Sequence, residues 1–359
     1  MSIHFHPLKV IAVKKETADC VSVTFEIPEA LQQDFKFKQG QSLSMRATIN
    51  NDEVRRTYSI CSSPFDNEWK VAIKKVEGGL FSSFANKELK KGDVVEVMQP
   101  VGKFYVELNP LHKKNYIAFG AGSGITPLLS IIKTTLLTEP NSQFTLVYGN
   151  KNRSSIIFFE ELEGLKNKYL QRFNLINILS RERMDALVNF GRINTEKLKE
   201  LSKLIDYTSF DESFICGPEE MIFCVKDFLE STGLDKKKIH FELFTTPGQK
   251  KQEVSSQEAG VESGPTSKIT VKLDGRSFDF DLSLTSDNSI LDAALKQGAD
   301  LPFACKGGVC CTCKARLLQG EVSMDVHWGL EEEEIEQGYI LTCQSHPKTE
   351  KVVVDFDVK

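Results

Sequence analysis

The 359-residue chain is predicted to be a multidomain α/β and β protein: an N-terminal antiparallel β-barrel or sandwich, a parallel α/β domain, and a small β-rich domain at the C-terminal end. Three observations predict this. Short β-branched runs separated by Gly, Pro and Asn-Asp turns fill the first hundred residues. From Asn115 onward strand-like and helix-like segments alternate. Four of the nine Cys crowd between Cys305 and Cys313. At about 150 residues per domain, the length allows two to three cores.

In residues 1–110 the runs Val21–Ile27, Ser42–Thr48 and Val94–Met98 read as strands. In residues 111–245 the order is strand Tyr116–Phe119, helix around Leu128–Leu137, strand Phe144–Tyr148, helix near Phe159–Tyr169, strand Leu175–Leu179, helix Met221–Leu229 and strand Ile239–Leu243. Such alternation implies a parallel sheet with helices on both faces. Residues 246–267 hold no aromatic side chain and only two Val, too little apolar surface to offset the entropy of ordering, and are expected to be a flexible linker. Residues 268–359 follow with strands Ile269–Leu273 and Ser277–Leu282, a helix from Ser289 to Gln297, the Cys-rich loop and a closing strand Val352–Phe356.

Charge narrows the function classes. Before Lys268 there are 35 basic and 34 acidic residues, and from it onward 10 basic and 16 acidic, so the two parts carry +1 and −6. The net −5 provides no global basic field for nucleic acid. The amino terminus lacks the charged start and apolar run of a secretory signal. The most apolar window, Tyr116–Ile132, is broken by three Gly, two Ser, a Thr and a Pro, which suits a buried strand, turn and helix better than a membrane span. A soluble cytoplasmic protein is expected.

Cys305, Cys310 and Cys313 stand in C-x₄-C-x₂-C order with Cys343 thirty residues on, the ligand spacing of a plant-type [2Fe–2S] cluster. Four thiolates complete two tetrahedral irons. Gly307, Gly308 and Thr312 permit the close backbone approach that a dianionic sulfide core needs. Structural zinc is the alternative, though zinc motifs usually pair C-x₂-C with a second short pair, and here one ligand is solitary. Cys311 does not fit the spacing and reads as a small filler, and His346 reads as a surface residue. Cys20, Cys61, Cys216 and Cys224 are single thiols in apolar contexts.

The segment from Ala304 to Cys313, with Leu341-Thr342-Cys343-Gln344, resembles the plant-type ferredoxin domains, which implies a β-grasp fold carrying one electron. Arg56-Thr57-Tyr58-Ser59 resembles the R-x-Y-S signature of the ferredoxin-NADP⁺ reductase superfamily, and Glu77-Gly78-Gly79-Leu80-Phe81-Ser82 resembles its flavin-phosphate segment. The resemblance implies a flavin-binding barrel. There Arg56 would offer a rigid fork to a pyrophosphate, Tyr58 would pack against the isoalloxazine and Ser59 would bond near N5. Gly78 and Gly79 would let backbone N–H groups reach phosphate, ahead of a short helix starting at Ser82.

The turn Gly120-Ala121-Gly122-Ser123-Gly124-Ile125-Thr126-Pro127 joins a strand to a helix whose open N–H groups suit a pyrophosphate. Its sixth position is Ile125, so the dinucleotide fingerprint G-x-G-x-x-G is absent. It is similar instead to the nicotinamide-nucleotide lobe of the same reductases. Phe214-Ile215-Cys216-Gly217-Pro218 is similar to their C-G-P segment, and Phe241-Glu242-Leu243-Phe244 to their closing strand at the flavin. Ser59, Cys216 and Glu242 are the candidate catalytic residues on that resemblance. Ser180 and Arg181 fall where an adenosine 2′-phosphate would sit, with Arg153 as a further candidate, and favour NADPH over NADH.

The order of the three domains resembles that of reductase components of bacterial oxygenases, and most of all the reductase subunits of ring-1,2-phenylacetyl-CoA epoxidases. This implies NADPH as donor, FAD as the flavin with FMN the alternative, and a separate diiron oxygenase as acceptor. A nicotinamide gives two electrons and an iron–sulfur cluster takes one, so a flavin must stand between them. The acidic run Glu331–Glu334 offers a docking face for a basic oxygenase surface, or simply a solvated helix face. Competing readings are a reductase for a Rieske oxygenase, desaturase, cytochrome or hybrid-cluster protein, and a nonenzymatic iron–sulfur sensor.

Overall fold

The computed structural model describes residues 4–184, 186–244 and 265–358. They fall into two compact units, one spanning Phe5–Leu243 and the other taking in His4, Phe244 and residues 265–358. The predicted barrel and α/β domains thus share one unit. Most of the predicted linker lies outside the described residues. Its last two residues do not belong to it, because the first strand of the C-terminal unit begins at Thr266 and Ser267 is fully buried. No helix among the described residues is long and apolar enough to cross a membrane.

The first lobe contains β1 (Phe5–Thr17), β2 (Cys20–Glu26), β3 (Ser42–Ile49), β4 (Asp52–Ser59), β5 (Trp69–Lys74), α1 (Leu80–Lys87) and β6 (Val94–Met98). Its antiparallel sheet has the order β4-β3-β6-β1-β2-β5, and a bridge between Ile60 and Val71 brings the two edges together. The result is a barrel filled by Leu8, Val10, Val23, Phe25, Leu43 and Ile73, with α1 packing Phe81 and Ala85 into the same core. Asn50 and Asn51 both adopt positive φ, the two-residue turn whose twist matches a hairpin. That turn sets the register pairing Tyr58 with Leu43 and Ser59 with Ser42.

The second lobe contains β7 (Asn115–Ala121), α2 (Ile125–Thr138), β8 (Gln143–Asn150), α3 (Phe159–Lys168), β9 (Phe173–Leu179), α4 (Thr195–Leu201), β10 (Glu212–Cys216), α5 (Glu219–Ser231) and β11 (Ile239–Glu242). All five strands are parallel, in the order β11-β10-β7-β8-β9. The order reverses between β7 and β10, and ligands of such sheets bind beyond the carboxyl ends of the strands at that reversal. Tyr116 to Phe119 are fully buried, as a strand covered on both faces requires.

Polar bonds join the lobes. Ser130 Oγ donates to the Ser62 carbonyl (2.6 Å), and the hydroxyls of Ser63 and Thr134 meet at 2.9 Å. Lys133 Nζ lies 2.6 Å from both Asp66 Oδ2 and Glu161 Oε1.

The C-terminal unit contains β12 (Thr266–Leu273), β13 (Arg276–Ser283), α6 (Ile290–Lys296), β14 (Lys314–Gln319), β15 (Val322–Met324), α7 (Glu332–Glu336), β16 (Tyr339–Leu341), β17 (Ser345–Pro347) and β18 (Lys351–Asp355). Its main sheet, β13-β12-β18-β14-β16, is antiparallel except for the β12–β18 pair, and α6 buries Ile290, Leu291 and Ala294 in the same core, as a β-grasp fold does.

At the amino end of the parallel sheet Glu139 is fully buried. It accepts hydrogen bonds from the Tyr116 hydroxyl (2.9 Å), Ser142 Oγ (2.7 Å) and the Asn109 N–H (3.0 Å), and His112 Nδ1 lies at 2.9 Å. Burial alone would raise its pKa, but these bonds outweigh burial and hold the carboxyl below its ordinary 4.5. Its stabilising contribution is therefore present above about pH 4.5 and lost as pH falls through the lowered value. Glu139→Ala is expected to cost about 3 kcal/mol at neutral pH by stranding the Tyr116 hydroxyl and Asn109 N–H. Urea unfolding across pH should show the gap to wild type narrowing below pH 4.5.

Candidate functional site

The register of the parallel sheet lines up Gly120 on β7, Cys216 on β10 and Glu242 on β11 at the carboxyl edge. From the barrel, Ser59 at the end of β4 donates its hydroxyl to Glu242 Oε2 at 3.1 Å. The three candidate catalytic residues, 183 positions apart at the extremes, thus meet at one place. Glu242 is half-buried at the surface but enclosed by protein atoms, and this desolvation pushes its carboxyl up to about 7 against the opposing bond from Ser59. Cys216 is fully buried. Burial first, and the Glu242 charge second, hold its thiol well above the ordinary 9.0.

The backbone of Cys216 matters more directly. A Cβ on Gly124 would lie 2.0 Å from the Cys216 carbonyl oxygen, so only glycine lets the turn pass this close to β10. Gly122, at φ +54, begins a single 3₁₀ turn that ends at Gly124, and α2 starts at Ile125. Tyr148 donates its hydroxyl to the Gly122 carbonyl (2.8 Å), and Thr126 donates its hydroxyl to the Ser123 carbonyl (3.0 Å). The Thr126 proton is therefore used inside the turn. Gly217 abuts Ala121 and Met221, and Pro218 caps α5. Glu219 and Glu220 occupy the first turn of α5, which makes this end unsuited to an anion.

One cation at this turn has no sequence signal. Lys74, at the end of β5, brings Nζ within 3.7 Å of the position a Gly122 Cβ would take. It is half-buried, with Asp19 3.8 Å away. Nothing in the β5 pattern distinguishes it from a solvated barrel lysine, because its neighbour comes from another lobe.

On the flavin side, two adjacent arginines part ways. Arg55 is buried, bonded to Glu53 Oε1 (2.7 Å) and set over the Phe5 ring, whereas Arg56 is exposed, with Nη1 2.6 Å from the Arg55 carbonyl. Tyr58 lies 5.7 Å from the Phe81 ring, and Thr57 meets Ser44 at 3.0 Å. The helix expected at Ser82 starts earlier, at Leu80 with Gly79 as its cap, because Ser82 Oγ accepts the Val76 N–H (3.1 Å) and so closes the preceding turn. Gly78 takes φ +72 there. Phe81 is 1% exposed, so its side chain serves the barrel core, as that of Ser82 serves the turn. The backbone N–H groups at the start of α1 and the Arg56 guanidinium remain to suit a pyrophosphate. Leu80 and Phe244 are exposed.

Ser180 and Arg181 follow β9, their N–H groups bonded to the carbonyls of Asn150 (2.9 Å) and Lys151 (2.8 Å). Arg181 is exposed. The neighbouring Glu182 carboxylate accepts the Arg153 N–H (2.8 Å), and the Arg153 guanidinium lies over Phe159.

In the C-terminal unit the four predicted ligand thiols neighbour one another in two pairs, Cys305 with Cys310 and Cys313 with Cys343, and Cys310 donates its thiol to Thr312 Oγ1 (3.2 Å). Among the described residues no three His, Cys, Asp or Glu side chains gather as a single bound ion would require. Two pairs suit two irons. Lys306, Gly308 and Cys311 all adopt positive φ, which turns backbone N–H groups inward. Gly307 donates to Cys305 Sγ at 3.2 Å. The Cys310 thiol and the N–H groups of Gly307, Val309 and Cys310 bring the Cys305 thiol down to about 6, against burial. A ring of backbone donors around a sulfur able to ionise fits an anionic cluster. Cys311 donates its thiol to the Gly329 carbonyl (2.6 Å), away from the ligand pairs.

His346 is half-buried at the surface, 3.1 Å from the exposed Asp325 carboxylate. The acidic run is also divided. Glu331, Glu332 and Glu333 are exposed, but Glu334 turns inward to Lys314 (3.0 Å) and accepts the Glu331 N–H.

Comparisons with known proteins match each region. Residues 7–105 match the family described as oxidoreductase FAD-binding domain, 119–227 the oxidoreductase NAD-binding domain and 272–348 the 2Fe-2S iron-sulfur cluster binding domain. The chain is 47% identical to a subunit of the 1,2-phenylacetyl-CoA epoxidase of Escherichia coli, over 99% of this chain and 98% of that one. It is 33% identical to the ferredoxin reductase component of 3-ketosteroid-9-alpha-monooxygenase of Rhodococcus rhodochrous, over 97% and 96%. In fold it is similar to phthalate dioxygenase reductase, with a TM-score of 0.59, 22% identity and 98% of both chains covered.

Glu242 gives this site a pH signature. Its folded pKa, about 7, lies above the ordinary 4.5, so folding favours the protonated form and the contribution of Glu242 to stability falls as pH rises from 4.5 to 7. Wild type should lose stability relative to Glu242→Gln across that window, read as the difference between their urea midpoints at each pH.

Proposed function

The chain belongs to the ferredoxin-NADP⁺ reductase superfamily, among the reductases whose FAD-binding and NAD-binding domains are followed by a [2Fe–2S] domain, and on that premise we propose that it is the reductase component of a phenylacetyl-CoA epoxidase. Its donor in this reading is NADPH and its acceptor a separate diiron oxygenase. The observation that carries the acceptor is the 47% identity to a subunit of such an epoxidase over nearly the full length of both chains.

FAD, when bound, takes an electron pair from the reduced nicotinamide and releases the electrons singly to the iron–sulfur cluster. The start of α1 and Arg56 would hold the flavin pyrophosphate, and Tyr58 would cover its ring. The turn from Gly120 through Gly122, Ser123 and Gly124, with Lys74 across from it, receives the pyrophosphate of the nucleotide. Gly124, Gly217 and the neutral Cys216 keep this edge of the sheet narrow, so the nicotinamide can lie against the flavin at Ser59. Ser59 donates its hydroxyl to Glu242 there, and a carboxyl near 7 can hold or release its own proton at working pH. Cys305 and Cys310 would serve one iron of the bound cluster, and Cys313 and Cys343 the other.

The exposed Arg181 fork, with the neighbouring Glu182 engaged by the Arg153 N–H, supports a 2′-phosphate partner. Arg181→Ala is expected to raise the KM for NADPH about tenfold, the loss of one charge-assisted bond, and to leave the KM for NADH within about twofold. Equal effects on the two coenzymes would contradict the assignment.

The acceptor is tested by coupling. Purified protein mixed with the oxygenase component should support NADPH-dependent epoxidation of phenylacetyl-CoA, and Cys310→Ser should abolish it while flavin reduction by NADPH continues. Efficient transfer to a 3-ketosteroid oxygenase, the acceptor of the 33% identical relative, and none to the epoxidase would contradict the assignment.

A further inference from the structure

Gln344 follows the solitary ligand Cys343 and is buried, at 6% exposure. Its side-chain Nε2 donates to the Lys306 carbonyl (2.8 Å) and to the Cys343 carbonyl (3.0 Å). Its own carbonyl accepts the Asp325 N–H (3.0 Å). The first bond spans 38 residues and ties the 3₁₀ turn of the last ligand to the loop of the first. Room for it comes from Gly308, where an added Cβ would press on Gln344 Cγ at 3.1 Å.

The Lys306 carbonyl and the Gly307 N–H belong to one rigid, planar peptide, so fixing the oxygen fixes the direction of the hydrogen. That hydrogen points at Cys305 Sγ, 3.2 Å from the Gly307 nitrogen. Lys306 itself sits at φ +51, a conformation that a non-glycine residue keeps only when its surroundings hold it. The Lys306 ammonium, bonded to Asp292 (2.7 Å), anchors the side chain and leaves the orientation of the peptide to Gln344.

We propose that Gln344 is a positioning residue for the [2Fe–2S] cluster: by holding the Lys306–Gly307 peptide it aims an N–H at the Cys305 sulfur and keeps the cluster's reduction potential up. Hydrogen bonds to ligand sulfur withdraw charge and favour the more negative, reduced state. The inference rests on Cys305 as a cluster ligand.

The test uses full-length protein carrying its cofactors and compares wild type with Gln344→Met, which keeps the side-chain length and removes the donor. Iron content and visible spectrum report cluster retention, and redox titration followed by electron paramagnetic resonance reports the potential. At the wild-type midpoint the variant should show about a tenfold lower ratio of reduced to oxidised cluster, about 59 mV for one electron, with the rate of flavin reduction by NADPH unchanged. Should Gln344→Met lose the cluster, Gln344→Asn, whose shorter amide falls short of the Lys306 carbonyl, carries the same measurement. A midpoint equal to wild type in a cluster-loaded variant overturns the proposal. An intact cluster in Cys305→Ser would instead overturn the ligand assignment beneath it.

Discussion

The candidate site depends on how firmly the two lobes are held together, because it is assembled from residues that neither lobe supplies alone. Ser59 ends a barrel strand, Glu242 ends a parallel strand, and their hydrogen bond requires both strand ends to arrive within 3.1 Å. The seam that secures this lies along α2, where Ser130, Lys133 and Thr134 bond to Ser62, Asp66 and Ser63 of the barrel. Buried polar bonds are directional, so they fix one relative placement where an apolar interface alone would tolerate several.

Within that frame, small residues set the distances. The Gly122–Gly124 turn passes so close to the Cys216 carbonyl that any side chain on Gly124 would displace it. The same closeness buries Cys216, and burial pushes its thiol up from its ordinary range. Glu242, its partner on the neighbouring strand, has the opposite character: its carboxyl is destabilised enough to titrate near neutrality. One edge of one sheet thus carries a buried thiol and a responsive carboxyl side by side, on neighbouring strands that register brings level.

The cluster loop solves a different problem with related means. Three residues at positive φ turn the chain tightly enough to aim N–H groups inward, and two of the three are not glycine. Such a loop needs outside support. Cys311 bonds to Gly329, and Gln344 bonds to Lys306, so segments distant in sequence bear the cost of the strained turns.

Local patterns were enough to identify the parts. The ligand spacing around Cys305 follows from the geometry of two tetrahedral irons, the continuous apolar run at Tyr116–Phe119 from burial on both faces of a sheet, and the glycines at 120, 122 and 124 from close backbone approach; each is a constraint between near neighbours and so is written in near neighbours. The start of α1 at Leu80 and of β12 at Thr266 were less legible, because a capping bond and a strand partner, not composition, decide where an element begins. The inward turn of Glu334 belongs with them, since Lys314 lies twenty residues away. What only the tertiary structure decided is which side chains meet across lobes and loops: Ser59 with Glu242, Lys74 with the Gly122 turn, Gln344 with the Lys306 peptide. Those encounters depend on strand register and on packing between distant segments, and a single chain of letters carries no local trace of either.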